Sequence, residues 1–76
     1  MNYLRIESRD LKIGMQFLLS CDLPEIHGLE IDNRMTFIKR VWKNTGEHLV
    51  FVNESGVELY LHAYEQPWQN LFKNLR

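Results

Sequence analysis

The sequence predicts a mainly β domain: five short strands in an antiparallel sheet that is strongly bent or closed on itself, ending in a short amphipathic helix. Three observations carry that prediction. Apolar residues recur with period two in several short runs, the pattern of half-buried strands. The four glycines are isolated at positions 14, 28, 46 and 56, where they separate those runs as turn or loop residues. Hydrophobic residues make up 45% of the 76, including four Phe, three Tyr and two Trp, which is enough for one packed core in a single domain and too little chain for a second.

The first strand is predicted over residues 3–8, where Leu4 and Ile6 alternate with Tyr3, Arg5 and Glu7. Ser8 to Gly14 reads as one helical turn or tight bend, with Ser8 placed to cap the amides of Asp10 or Leu11 and Gly14 free to take a positive φ. In the second strand Met15, Phe17 and Leu19 alternate with Gln16, Leu18 and Ser20, and the run ends near Cys21. Residues 22–33 hold one Pro, one Gly and four acidic residues and read as a long loop, a candidate contact element. The third strand, 35–43, carries its apolar residues as adjacent pairs, Phe37-Ile38 and Val41-Trp42. A straight strand cannot bury both on one side, so a bulge or bend near Lys39-Arg40 is expected to switch its inward face. A turn at Asn44-Thr45-Gly46-Glu47 leads into 48–52, and a second at Asn53-Glu54-Ser55-Gly56 leads into 57–64. There Val57, Leu59, Leu61 and Ala63 share one face and Glu58, Tyr60, His62 and Tyr64 the other. Pro67 suits a helix start, and Trp68, Leu71, Phe72 and Leu75 fall on one helical stripe, with Lys73 and Arg76 at the negative end of its dipole.

Nine Lys and Arg against ten Asp and Glu leave a net charge of −1, which argues against non-specific coating of nucleic acid. The single Cys21 cannot form an internal disulfide, and small secreted domains usually need such bonds, so a reducing cytoplasm is expected. Neither a signal-peptide core nor a run of about 18 apolar residues is present, so no membrane association is expected. Asn53-Glu54-Ser55 matches a glycosylation acceptor pattern and reads instead as a turn.

The order of a Gly-led strand (Gly14-Met15-Gln16-Phe17), a long loop, a bent strand at 35–43 and hairpin strands at 48–53 and 57–62 resembles the small barrels of the Src-homology-3, Tudor and KOW kind over roughly residues 11–64. The resemblance implies a closed barrel and a role in binding peptides, modified side chains or RNA. The aromatic pair that Src-homology peptide binders carry in their first long loop is missing, which argues against proline-rich ligands.

Two clusters are candidate partner-binding sites. Tyr60, His62 and Tyr64 would stand side by side on the outward face of the last strand, either as a sticky amphipathic surface or as a second small core under the C-terminal helix, with Trp68 and Phe72 against Tyr60 and Tyr64. Lys39, Arg40, Trp42 and Lys43, with Arg34 just before, form the basic cluster. Interleaved cations and an aromatic suit single-stranded nucleic acid, but the favoured reading is local neutralisation by Asp22, Glu25, Glu30 and Asp32 of the preceding loop.

No arrangement selects a catalytic nucleophile, a metal or a cofactor. Cys21 lacks a glycine-rich elbow and reads as a buried or half-buried thiol; one Cys and three scattered His lack zinc-ligand spacing, and no glycine run could cradle a phosphate. The expectation is a non-catalytic interaction module, an adaptor or inhibitor docking on a larger protein without a cofactor. The alternatives are an RNA or single-stranded nucleic-acid contact, and a homodimer formed through the C-terminal helix.

Overall fold

The computed structural model describes residues 4–75. Five strands, β1 (Gln16–Leu19), β2 (Arg34–Lys43), β3 (Gly46–Val52), β4 (Glu58–His62) and β5 (Phe72–Lys73), form one antiparallel sheet in the order β4-β3-β2-β1-β5. The sheet is open, with β4 and β5 as its two edges, so the barrel alternative does not hold. Closure would need a strand bridging those edges, and the two-residue β5 reaches only Leu18 and Leu19 of β1.

Residues directly opposite in an antiparallel pair point to the same side. The pairs Phe17↔Met35, Phe37↔Phe51, Phe51↔Leu59 and Leu49↔Leu61 therefore define one core face, and all seven residues are buried. Phe51 sits at its centre, with ring centroids 4.6 Å from Phe72, 5.4 Å from Phe37 and 5.9 Å from Trp68. Along β4 and the residue at each end of it the alternation holds: Leu59, Leu61 and Ala63 are buried, Val57 is half-buried and Glu58 is exposed. Leu59→Ala should accordingly cost about 2 to 5 kcal/mol in a denaturant melt while Glu58→Ala stays nearly silent; similar losses at both sites would mean the faces are reversed.

The expected bulge lies between Phe37 and Lys39, making Ile38 the extra residue. Before it Met35 and Phe37 face the core; after it Arg40 and Trp42 take the core-face register, opposite Leu49 and Glu47. One inserted residue thus reconciles the two apolar pairs of this strand.

Two predicted elements do not form. Within 3–8, Tyr3 lies outside the described residues, and Leu4–Glu7 run as irregular chain rather than as a strand. Leu4 is buried and Ile6 half-buried while Arg5 and Glu7 are exposed, so the alternation reports which side chains go inward without any strand partner. At the C-terminus Trp68–Leu71 is a 3₁₀ turn that passes directly into β5, not a helix; Arg76 lies outside the described residues. Trp, Asn and Phe are mediocre helix formers, and so short a helix is marginal on its own. The edge of β1 offers ladder bonds instead: the Ser20 amide donates to Leu71 O at 2.8 Å, and Lys73 pairs with Leu18. Trp68 and Phe72 are buried against their own core, on the face opposite Tyr60, so they neither cover that residue nor supply a helical dimer interface.

The second layer over the core is irregular chain contributing Leu4, Leu11, Leu29 and Trp68. Its backbone carbonyls must find donors, and four side chains supply them. Arg40 donates to Ser8 O at 2.6 Å and Leu11 O at 3.2 Å. Gln69 Nε2 donates to Ile6 O, Ser20 Oγ to Asn70 O and Asn53 Nδ2 to Gly28 O. The bend after Glu7 is a 3₁₀ turn, Ser8–Asp10, without the expected side-chain cap; Ser8 Oγ accepts from Arg40 instead.

Asn53 is the joint between the β3–β4 turn and the long loop. Its Oδ1 accepts from the amides of Ser55 and Val57, and its Nδ2 also donates to Asn33 Oδ1. A buried amide engaged on both sides is a turn residue and no sugar acceptor. Asn53→Ala should cost about 2 to 4 kcal/mol in urea unfolding, since each partner left unsatisfied costs about 1 to 3. The long loop itself is a succession of turns plugged into the core by Leu29, with the Ile31 amide bonded to Asp22 Oδ1 at 2.8 Å. Gly28 there has φ +95°, and a Cβ would lie 3.0 Å from Val57 Cγ2.

Candidate functional site

The face of the sheet opposite the core carries Gln16 and Leu18 of β1, Arg34, Thr36, Lys39, Val41 and Lys43 of β2, His48, Val50 and Val52 of β3, Glu58, Tyr60 and His62 of β4, and Lys73 of β5. Its centre is the cross-strand row Lys39–Val50–Tyr60. Val50 is buried yet lies outside the main core cluster, so it supports this second surface. Lys43 lays its ammonium 4.4 Å from the Tyr60 ring centroid, a cation–π contact. The Tyr60 hydroxyl donates to Glu58 Oε1 at 3.2 Å, and Tyr60 remains 40% exposed.

That hydrogen bond to Glu58, with its negative charge, raises the Tyr60 pKa above the usual 10.0. A raised folded-state value means that the contribution to stability is complete below the unfolded-state pKa and is lost as pH climbs through the folded one. Glu58→Gln should return Tyr60 ionisation, followed by phenolate absorbance, towards the ordinary value; an unchanged titration would remove Glu58 as the cause.

The residues grouped by sequence separate in three dimensions. Tyr60 and Lys39 stay together on the outer face. His62 shares that face but is held in the hairpin turn, its Nε2 donating to Thr45 O at 2.5 Å, its Nδ1 accepting from the Glu65 amide and its ring 4.9 Å from that of His48. Tyr64 leaves the strand and lines a cleft with Glu7, Ser8, Arg9 and Gln66, 67% exposed. Trp42 has the core-face register but lies beyond the core near the hairpin end, 77% exposed. Arg40 points inward, its Nη1 3.1 Å from Glu47 Oε2, with the two side chains 29% and 8% exposed. It is a structural cation and no part of a surface patch.

Neutralisation of the basic cluster by the acidic loop is not what forms. Arg40 pairs with Glu47, and the loop's Asp32 pairs with Lys73 at 2.7 Å. Among the described residues, Arg34, Lys39 and Lys43 form no ion pair. Cys21 is exposed rather than buried, because it lies in a bend two residues past the end of β1. Among the described residues, no three His, Cys, Asp or Glu side chains converge as metal ligands, and no helix is long and apolar enough to cross a membrane.

Two features have no counterpart in the sequence pattern. Lys43 reaches Tyr60 only because the bulge and the two hairpins bring β2 and β4 to either side of β3, and no local signal marks that contact. The cleft by Tyr64, about 520 Å³, lies where the N-terminal turn meets the chain after β4. No protein-family model, curated protein or solved structure matches the chain.

Proposed function

We propose that this chain is a small, non-catalytic interaction module that docks on an acidic surface of a larger protein through the outer face of its sheet. The observation that carries this reading is the segregation of charge. Arg34, Lys39 and Lys43 stand at outer-face positions without an ion pair among the described residues, with Glu58 as the sole strand carboxylate among the described residues of that face, in a chain whose net charge is −1. The irregular second layer packs on the opposite side, which supports an outer face open to a partner. Tyr60 over buried Val50 supplies an aromatic anchor, and the unpaired ammonium of Lys39 supplies complementarity, which raises association rate and specificity.

Nucleic acid fits this face less well. Arg40 is turned inward and Trp42 has the opposite register, so cations and aromatics do not line a continuous track. The test is an NMR titration of the full chain with an oligoglutamate peptide and, separately, with oligouridylate, each at low and moderate salt. The proposal expects the peptide to shift the amides of Lys39, Lys43 and Tyr60 and Lys39→Glu/Lys43→Glu to abolish the shift. Tighter binding of oligouridylate, with a log–log salt slope of about 0.7 per neutralised phosphate, would replace it with the nucleic-acid reading. No shift with either probe would overturn both.

A further inference from the structure

We infer that the outer edge of β4 is a strand-addition site and that a second copy of this chain occupies it, pairing antiparallel about a two-fold axis at Tyr60. The hydrogen-bond phase of the β3–β4 ladder determines which groups face that edge. The Asn53 amide donates to Val57 O and the Ala63 amide to Glu47 O, both at 3.0 Å. In an antiparallel pair bonded positions recur every second residue. The amides and carbonyls of Leu59 and Leu61 therefore serve β3, while those of Glu58, Tyr60 and His62 point away from it. Among the described residues, β4 pairs with β3 alone.

The two edges of the sheet differ in how they are guarded. β5 has two residues and ends on Lys73, and shortness and a lysine are both common defences against edge pairing. β4 has five residues, Glu58-Leu59-Tyr60-Leu61-His62, without Lys, Pro or a bulge in its register. An unguarded edge accepts another strand.

Its sequence selects a copy of itself. A two-fold axis at Tyr60 places Tyr60 opposite Tyr60, Leu59 opposite Leu61 and Glu58 opposite His62. Tyr60 is one of the outward-bonding positions, so it and its symmetry mate exchange a full pair of hydrogen bonds, as do Glu58 and His62. Each carboxylate then lies across from a residue that carries no negative charge and away from its own counterpart. An axis at Glu58 would set two carboxylates face to face, which is destabilising, and an axis at His62 would leave half the strand unpaired. The axis stands perpendicular to the sheet, so the outer faces of both copies lie on one side and the Lys39–Tyr60 rows adjoin. The inference stands apart from the acidic-partner reading, because it concerns the edge of the sheet rather than its face and needs only the chain itself.

The test combines sedimentation with amide hydrogen exchange on the full chain over a concentration series. The expected result is a weak, reversible dimer at twice the 9.2 kDa chain mass. As it forms, the Glu58, Tyr60 and His62 amides slow by at least about tenfold, while Leu59 and Leu61 are protected at every concentration. Tyr60→Lys sets two lysines opposite each other and should abolish the dimer, and retained protection of Leu59 and Leu61 shows that the variant is folded. Glu58→Lys, which gives this edge the lysine guard that β5 has, is the second variant and should weaken the dimer by about tenfold or more. A chain that stays monomeric, a dimer that leaves the three amides unprotected, or amides already protected in the dilute monomer each overturn the inference. Protection gained only on adding a different extended peptide would replace the second copy by a foreign strand.

Discussion

Truncation after Gln66 is expected to unfold the domain. The missing segment contains Trp68 and Phe72, among the most completely buried side chains of the molecule, together with half-buried Leu71 and all of β5. Removing a buried Phe or Trp side chain costs about 3 to 5 kcal/mol. Two such losses equal much of the roughly 5 to 15 kcal/mol that holds a typical domain together. Phe51 would lose two of its ring partners, at 4.6 and 5.9 Å, and the Leu19 side of β1 would become an open edge. Near-ultraviolet circular dichroism and amide dispersion, read at dilute concentration, should show a chain without fixed packing. A truncated chain that keeps its dispersion and melting temperature would mean that the segment contributes to something other than the core.

Arg40→Ala is the second large effect. The guanidinium joins four acceptors: the buried carboxylate of Glu47, Ser8 Oγ, and the carbonyls of Ser8 and Leu11. Removing one partner of a buried pair costs about 3 to 5 kcal/mol, because the other charge stays buried without compensation. The N-terminal turn should also detach, visible as faster exchange of the Leu11 amide, which the turn holds to Ser8 O at 3.2 Å. The double change Arg40→Met/Glu47→Leu should recover most of the loss, since a hydrophobic replacement of a buried ion pair is often neutral or stabilising. A double variant as unstable as Arg40→Ala would show that the bonds to the Ser8 and Leu11 carbonyls, rather than the orphaned Glu47, carry the energy.

Part of the candidate site is legible in the amino-acid sequence. Period two places Tyr60 outward on β4, and a bulge near Lys39 allows β2 to present that lysine on the same side. The position of Arg40 is not legible, because a cluster of cations and aromatics does not say which member turns inward. After the bulge Arg40 acquires the core register opposite Leu49, and Glu47 is there to receive it. Tyr64 joins Tyr60 only if the alternation runs on to 64, whereas β4 ends at His62 and the chain bends away.

Period-two alternation, turn residues and glycine positions determined β1 to β4, their antiparallel order through the hairpins, the inward set Leu59, Leu61 and Ala63, and the switch of face in β2. These are local properties, written in the spacing of neighbouring residues along the chain. The tertiary structure alone decided the two ends. Leu4 and Ile6 have a strand's alternation, and Trp68, Leu71 and Phe72 a helix's spacing, but both patterns record only which side chains are apolar. Whether the backbone between them forms a ladder, a helix or irregular chain depends on which donors and acceptors lie within reach. For Phe72–Lys73 these were the open groups of β1, and for the segment from Ile6 to Leu11 they were the side chains of Gln69 and Arg40, 63 and 29 residues distant at the nearest bonds.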